Sequence, residues 1–193
     1  MNAIKKIMCL VFAVIAVSNV QTAFAADKND TTKTHYLKLN AKGKPAKDKP
    51  GAAHCVLDNE TNLVWELKTD DKGIHNKDNT YRWGGRGAEQ IGEKFFDDWN
   101  ALIDASNKEK LCGFSDWRVP TIDELKTLVV ADANPAINAD FFPLTLSKPY
   151  WSVSGYKTYP EHGQTVHFET GKSYYYNGYR GEHLPVRLVR SKS

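Results

Sequence analysis

The sequence has little of what usually marks an enzyme or a metalloprotein. Its six histidines show no His-Glu-x-x-His pattern and no close ligand pair, so the case for a zinc site is weak. CGFSDW lacks the Gly-x-Ser-x-Gly elbow, so Ser115 has little support as a nucleophile. DDKGIHNKDN, residues 70–79, has carboxylates and amides that could hold calcium, but without EF-hand spacing it is better explained as a solvated loop. No cofactor is therefore expected.

Long apolar runs are also lacking. Residues 7–17 form an apolar run, but it is shorter than the roughly 20 residues that a membrane-spanning helix needs. Lys5 and Lys6 precede this run, and the small-x-small sequence AFA, ending at Ala25, follows it like a signal-peptidase site. We therefore predict a cleaved signal peptide over residues 1–25. The mature chain is then exported, to the periplasm, the cell surface or the medium, and has no membrane span.

The chain has no strong charge imbalance. Its net charge is +3 with neutral histidines, and removal of residues 1–25 takes away Lys5 and Lys6 but no acidic residue, which leaves +1. This balance gives no global electrostatic argument for binding nucleic acid or an anionic membrane. Affinity for a polyanion would have to come from a local basic patch.

Cysteine is scarce. Cys9 lies inside the apolar run, so Cys55 and Cys112 are the cysteines of the predicted mature protein. One remaining pair in an oxidising compartment is typical of a disulfide, and closing that loop is worth about 4 kcal/mol. The alternative, a reactive cysteine beside His54 or Asp116, requires a thiolate that survives export and is less favoured.

Residues 26–53 and 54–190 differ in composition. The first segment is rich in Lys, Asp, Thr and Pro, which predicts a flexible polar leader with at most a short strand at HYLKL. The second segment is long enough for one core and predicts a single domain. Within it, CVLDNETNLVWELK predicts two strands joined by a turn. The helical spacing of Ile91, Phe95, Trp99, Leu102 and Ile103 predicts a helix over residues 88–106.

The segment DWRVPTIDEL could be an active site or the start of a helix. Thr121 stands three residues before Glu124 and ahead of an apolar run, which is the pattern of a capping box. Pro120 disfavours helical geometry just before the cap. Trp117 is interpreted as a core indole bound to the backbone, and Arg118 as a guanidinium paired with carbonyls or a nearby carboxylate. The structural interpretation is favoured over acid–base catalysis.

From Tyr150 onward the pattern is typical of β-structure. YWSVSGY predicts a strand, QTVHFETGKSYYYNGY a hairpin that turns at Thr170-Gly171, and PVRLVR, residues 185–190, a final strand. Two helices packed on a small antiparallel sheet, with long loops and one disulfide, give an expected fold class of α+β.

CVLDNETNLVWE, CGFSDWRVPTIDEL, YWSVSGY and VRLVR occur in this order and together resemble the Lcl C-terminal domain family, named from the Legionella collagen-like adhesin. The resemblance covers residues 54–190 and implies a C-type-lectin-like fold, similar to that of formylglycine-generating enzymes. Its name-giving member binds sulfated glycans at cell surfaces. This sequence has no collagen-like Gly-x-y region, so the adhesin's trimerising stalk is not expected. The family's motif residues look architectural; here they are Trp65, Trp117, Arg118, Pro120, Thr121, Glu124 and Trp151.

KSYYYNGYRGEH, residues 172–183, is the predicted ligand-binding segment. Alternate side chains of a strand face opposite sides, so its tyrosines cannot all be buried. Exposed rings could stack on sugar faces while basic groups pair with sulfate or carboxylate, although an ordinary hairpin surface explains the pattern about as well. The residues of this hypothesis are Lys172, Tyr174, Tyr175, Tyr176, Tyr179, Arg180 and His183.

We therefore predict an exported, non-catalytic binding domain that recognises a surface partner such as an anionic or sulfated glycan, in an adhesion-type role. One alternative is an enzyme on the formylglycine-generating scaffold, whose chemistry needs free or metal-bound thiols. The other is a periplasmic or surface assembly subunit, which fits the same sequence.

Overall fold

The computed structural model describes residues 34–93, 96–174 and 178–192, so the predicted signal peptide lies outside the described residues. The described part forms two antiparallel sheets, two α-helices and a short 3-10 helix, joined by long irregular connections. The α+β class is confirmed. None of the helices in these ranges is long and apolar enough to cross a membrane. The elements are β1 (Tyr36–Leu39), β2 (Cys55–Asp58), β3 (Leu63–Glu66), α1 (Trp99–Lys108), the 3-10 helix (Leu111–Gly113), α2 (Ile122–Lys126), β4 (Pro149–Gly155), β5 (Gly163–His167), β6 (Lys172–Tyr174) and β7 (Val189–Ser191).

The first sheet has the strand order β1-β2-β3-β7. β2 and β3 form the predicted hairpin, in which Asp58 lies opposite Leu63. Its turn is closed by the Asp58 carboxylate, which accepts hydrogen bonds from the Glu60 amide at 2.9 Å and the Thr61 hydroxyl at 2.7 Å, as aspartate does in tight turns. Every residue of both strands is buried, so this hairpin is the centre of the sheet.

β1 forms one edge of this sheet, although it belongs to the segment predicted to be a flexible leader. Tyr36 pairs with Asp58 and Leu39 with Cys55, and both Tyr36 and Leu39 are buried. The short strand expected at this position is confirmed. Two buried apolar side chains and the strand ladder fix residues 36–39 to the domain. For the rest of residues 26–53, flexibility stays a prediction.

The second sheet has the strand order β4-β5-β6. Trp151 lies opposite Thr165, and His167 lies opposite Lys172. The turn between β5 and β6 ends at Gly171, whose φ of +68° is a conformation that glycine adopts at little cost. The predicted hairpin is therefore confirmed.

The last strand is predicted over residues 185–190, but in the structure it starts later, at Val189. The ladder with β3 begins at Val189 and continues to Ser191. Before it, the Pro185 carbonyl accepts from the Trp151 amide at 3.0 Å, and the Leu188 carbonyl accepts from the Glu66 amide at 3.0 Å. Residues 185–188 therefore connect the two sheets.

α1 starts later than the helix predicted over residues 88–106. Gly92 has a φ of +64°, which is outside helical geometry, and the Glu89 amide donates to the Val153 carbonyl at 2.9 Å. A glycine and a tertiary hydrogen bond thus override the apolar spacing in this part of the chain. Phe95 lies outside the described residues. The part of the expected apolar stripe that lies within α1 is buried: Trp99, Leu102 and Ile103.

α2 begins with the predicted capping box. The Thr121 hydroxyl accepts from the Glu124 amide at 3.2 Å, and the Glu124 carboxylate accepts from the Thr121 amide at 2.8 Å. The same carboxylate accepts from both terminal guanidinium nitrogens of Arg118, at 2.6 and 2.7 Å. Burial alone would raise the pKa of Glu124, but these hydrogen bonds and the Arg118 charge lower it. The three acidic groups of DWRVPTIDEL therefore have structural roles: Glu124 caps α2, Asp123 lies in its first turn, and the Asp116 carboxylate accepts from Nε of Arg190 at 2.6 Å.

The rest of the motif joins α2 to both sheets. Arg118 and Val189 of β7 exchange backbone hydrogen bonds of 3.0 and 2.8 Å, and the Val153 amide of β4 donates to the Pro120 carbonyl at 2.8 Å. The Trp117 indole donates to a backbone carbonyl at 3.0 Å, as predicted. The segment DWRVPTIDEL therefore has a structural role: it joins α2 to both sheets.

All five tryptophans of the chain are buried. The Trp83 indole donates to the Ser152 carbonyl at 2.8 Å, and the Trp151 indole donates to the Tyr81 carbonyl at 2.6 Å. The Trp83 ring also meets the Trp99 ring edge-on, with centroids 5.9 Å apart. These indoles tie the loop around residues 81–83 to β4, as expected of large amphipathic rings in a core.

The predicted disulfide between Cys55 and Cys112 is confirmed. Both cysteines are buried, and their Cα atoms lie 6.4 Å apart. The bond joins the first residue of β2 to the 3-10 helix that follows α1. It therefore excludes a free catalytic thiol at either position.

Candidate functional site

The structure describes only part of the predicted ligand-binding segment. Tyr175 and Tyr176 lie outside the described residues, and of Tyr174, the last residue of β6, only the backbone is described. The remaining polar and aromatic groups divide into exposed and buried ones. The exposed ones are Lys172, Tyr179, at 55% exposure, and His183.

Arg180 is buried, with 1% of its surface exposed, which corrects the expectation that it pairs with an anionic ligand. Its guanidinium donates to the carbonyls of Ile91 at 2.7 Å and Glu93 at 2.8 Å, and it lies 4.0 Å from the centre of the Trp83 ring. Burial lowers its pKa. Arg180 therefore holds the connection before α1 against the core.

Tyr179 belongs to a cluster of rings that we name the tyrosine platform, formed by Tyr156, Tyr159, His162 and Tyr179. The Tyr156 and Tyr159 rings are stacked, with centroids 5.7 Å apart and planes inclined by 23°. His162 lies edge-on between Tyr159 and Tyr179, with its ring centroid 6.1 Å from each. Tyr159 is 40% exposed, so the platform presents two accessible phenol rings on either side of an imidazole.

Backbone pairing fixes the platform. His162 and Tyr179 form an antiparallel bridge, and the Gly163 amide donates to the Gly178 carbonyl at 2.8 Å. The two segments can approach closely because position 178 is glycine: a Cβ on Gly178 would lie 2.1 Å from the Gly163 carbonyl oxygen. A side chain at Gly178 would therefore push the two halves of the platform apart.

The charges beside the platform are mixed. Lys157 is exposed in the same loop, and the Glu161 carboxylate lies 3.4 Å from Nδ1 of His162. With Arg180 turned inward, the platform is suited to stacking and hydrogen bonding more than to charge pairing.

Sequence reasoning missed Tyr156, Tyr159 and His162. They precede the predicted segment, and they reach Tyr179 because His162, at the end of the connection between β4 and β5, forms a backbone bridge with Tyr179. The signal that could have found them is YKTYPEH, in which two tyrosines and a histidine recur at every third position of a proline-containing loop.

A second group of ionisable side chains is buried around Glu66, which is fully buried. Its carboxylate accepts from Lys68 Nζ at 2.9 Å and from the Leu188 amide at 2.8 Å, and it lies 2.6 Å from Nδ1 of His75. Burial alone would raise the pKa of Glu66, but Lys68, His75 and the Leu188 amide outweigh this and hold the pKa at about 2. These groups neutralise one another, so we interpret them as a structural ion network.

The loop considered for calcium uses its carboxylates internally. Asp70 and Asp78 both pair with Lys77, and Asp71 accepts from the Gly73 amide at 2.7 Å. Among the residues that the structure describes, no group of three or more His, Cys, Asp or Glu side chains is placed to hold a metal ion. The interpretation as a solvated loop is therefore favoured.

The motif residues have structural roles, whereas the exposed rings lie outside the motif. A family model described as the Lcl C-terminal domain matches residues 54–190, and the chain therefore belongs to that family. The resemblance carried by the sequence motifs is thus confirmed, and it favours an adhesin-type surface domain. None of the curated proteins and none of the solved structures with which the chain was compared matches it significantly. The C-type-lectin-like topology stays an expectation.

Proposed function

We propose that this domain binds a surface glycan in an adhesion-type role and that the tyrosine platform contacts the sugar. The observation that carries the proposal is the pair of exposed rings, Tyr159 and Tyr179, held on either side of His162. Tyrosines supply large contact area at a low cost in conformational entropy, and these two are also restrained by neighbouring rings. Membership of the Lcl C-terminal domain family supports a surface partner.

The rings provide the affinity that does not depend on charge. The C–H groups on a pyranose face pack against an aromatic ring, while sugar hydroxyls exchange hydrogen bonds with phenol and backbone groups. A well-placed aromatic contact is worth roughly 1 kcal/mol beyond its buried area. Loss of one ring should therefore weaken binding about fivefold.

An anionic or sulfated glycan is the proposed class, with Lys172 as its cationic contact and the His183 imidazole as a hydrogen-bonding contact. Both side chains are exposed, whereas Arg180 is not available. Exposed charge pairs contribute about 0.2–1 kcal/mol each and are screened by salt. Stacking then sets the basal affinity, and charge adds a salt-sensitive preference for sulfate.

The test compares the retention of the protein on heparin and on desulfated heparin across a salt series. We expect Tyr159→Ala and Tyr179→Ala to weaken binding to both matrices about fivefold. Lys172→Gln should reduce only the sulfate-dependent part. Val130→Ala is the matched control, because Val130 is exposed to the same 40% as Tyr159 but lies outside the platform.

Two outcomes would contradict the proposal. If both tyrosine variants bind like the wild type, the platform is not the site. If the folded wild type is retained by neither matrix at low salt, this class of glycan is not the ligand.

The geometry does not favour the enzyme alternative. Formylglycine-generating chemistry needs free or metal-bound thiols, and Cys55 and Cys112 are joined to each other. Two titratable thiols in the native protein would revive that alternative.

A further inference from the structure

A cleft of about 720 Å³, which we name the basic cleft, opens on the surface, and none of the tyrosine platform residues lines it. Its walls come from residues 46–54, in the connection between β1 and β2, and from residues 141–144. The volume lies within the range of about 300–1,000 Å³ that is typical of small-molecule sites. Most of the first wall precedes the segment matched by the family model.

The basic cleft has an excess of positive charge. Three exposed lysines line it, and Asp48 is the one carboxylate in its described lining. Among the residues of known placement, none of these lysines forms an ion pair. The carboxylate of Glu66, beside the lining residue Lys68, is already neutralised within its ion network. The three lysines are Lys38, Lys47 and Lys49.

The same cleft has an apolar wall. Leu67, Leu111, Phe141 and Leu144 line it, and Nζ of Lys38 lies 5.2 Å from the centre of the Phe141 ring. An ammonium group thus stands directly beside apolar surface. A small, fully hydrated anion would use only the lysines, whereas a ligand with an apolar body and an anionic head would use both.

The cleft is held open by contacts that do not depend on a ligand. His54 and Leu111 both line it, and each is followed directly by a cysteine of the disulfide, which therefore ties the wall of residues 46–54 to the lining residue Leu111 of the 3-10 helix. The connection after β1 is also packed tightly, because a Cβ on Gly43 would lie 2.7 Å from the Cys112 carbonyl oxygen. A preformed site reduces the entropic cost of binding.

We propose that the basic cleft binds an amphiphilic carboxylate, an aliphatic or aromatic acid of medium size. Its apolar part lies against Phe141 and Leu144, and its carboxylate meets the ammonium groups of Lys38, Lys47 and Lys49. This site is independent of glycan binding, because it shares no residue with the tyrosine platform.

The probe is dodecanoate, titrated calorimetrically into the purified protein below the critical micelle concentration. We expect saturable binding at one site per chain. Acetate, which keeps the head group and lacks the tail, should give no heat at the same concentrations. Dodecyltrimethylammonium, which keeps the tail and reverses the charge, should bind at least about tenfold more weakly.

Amino-acid substitutions test whether the lysines of the basic cleft bind the carboxylate. Lys38→Gln combined with Lys49→Gln should weaken dodecanoate binding about tenfold, since each exposed charge contact is worth up to about 1 kcal/mol. Lys192→Gln removes one charge from an exposed lysine outside the cleft and should leave the affinity unchanged. Tyr179→Ala should also leave it unchanged, which separates this site from the platform.

Three results would overturn the proposal. The cationic probe could bind as tightly as dodecanoate, which would show that charge plays no part. Lys192→Gln could weaken binding about as much as the Lys38→Gln and Lys49→Gln double variant, which would show that the attraction is spread over the surface. Dodecanoate could give no saturable heat while the protein stays folded, which would show that the cleft does not accept this class of ligand.

Discussion

Glu66 is the residue whose replacement tests the electrostatic part of the fold most directly. In Glu66→Gln the side chain keeps its shape but loses its charge. Lys68 has a fully buried side chain, and Arg187 is also buried, so both cations lose the nearest buried anion. The Gln amide nitrogen, moreover, is a donor where the carboxylate accepted hydrogen bonds.

The expected cost is about 3–5 kcal/mol, because removing one partner of a buried ion pair leaves an uncompensated charge. An independent route gives a similar magnitude. The pKa of Glu66 lies at about 2 in the folded protein instead of 4.5, and that difference corresponds to about 3 kcal/mol of stabilisation at neutral pH. This contribution is present above the unfolded-state pKa, near 4.5, and is lost as the pH falls towards 2.

Urea unfolding at pH 7, with the disulfide intact, measures the effect through the fluorescence of the buried tryptophans. The matched control is Glu66→Gln combined with Lys68→Met. The second change removes the Lys68 charge that Glu66→Gln leaves unpaired, so it should recover at least half of the lost free energy of unfolding. Repeating the titration between pH 5 and pH 2.5 adds a second readout. Wild type should lose stability faster than Glu66→Gln in that window, since only wild type has the Glu66 carboxylate to protonate.

The reasoning would be refuted if Glu66→Gln cost less than about 1 kcal/mol at pH 7, within the range of ordinary surface changes. It would also be refuted if both proteins lost stability equally on acidification. If Lys68→Met does not restore stability, the destabilisation by Glu66→Gln comes from changed packing around residue 66 and not from the lost charge.

Three further predictions concern local features. Thr121→Ala should cost about 1 kcal/mol in urea unfolding through the lost cap, while Thr121→Ser keeps the hydroxyl; equal midpoints for wild type and the alanine variant would contradict the cap. Reduction of Cys55–Cys112 should remove about 4 kcal/mol, so a melting curve that is insensitive to reductant would exclude a stabilising role. Arg180→Met should cost about 2–3 kcal/mol, because the carbonyls of Ile91 and Glu93 lose their donors. Its control, Lys172→Met at an exposed site, should cost less than 0.5 kcal/mol, and similar losses in both would contradict the structural role of Arg180.

Features with a short-range physical cause were predictable from the sequence. The capping box at Thr121 and Glu124 needs only neighbours in the same helical turn. The turn at Gly171 follows from the one residue that adopts its conformation easily. The disulfide follows from there being one pair of cysteines in the predicted mature chain.

Features decided by distant residues were not predictable in this way. The segment before α1 has helical spacing, but Arg180 binds its carbonyls from far along the chain. Arg180 itself looks like a surface residue between Tyr179 and a glycine, yet Trp83 and two carbonyls bury it. The tyrosine platform and the basic cleft likewise combine segments that only the fold brings together.

β1 has a consequence for any attempt to isolate the family domain. A fragment that starts at His54, the first residue matched by the family model, would lack this strand. β2, which pairs with β1 and is buried along its whole length, would then present unpaired backbone amide and carbonyl groups. Such an edge recruits strands from other molecules. Self-association of the fragment would be an artefact of its boundary, and a faithful version of the domain has to begin before Tyr36.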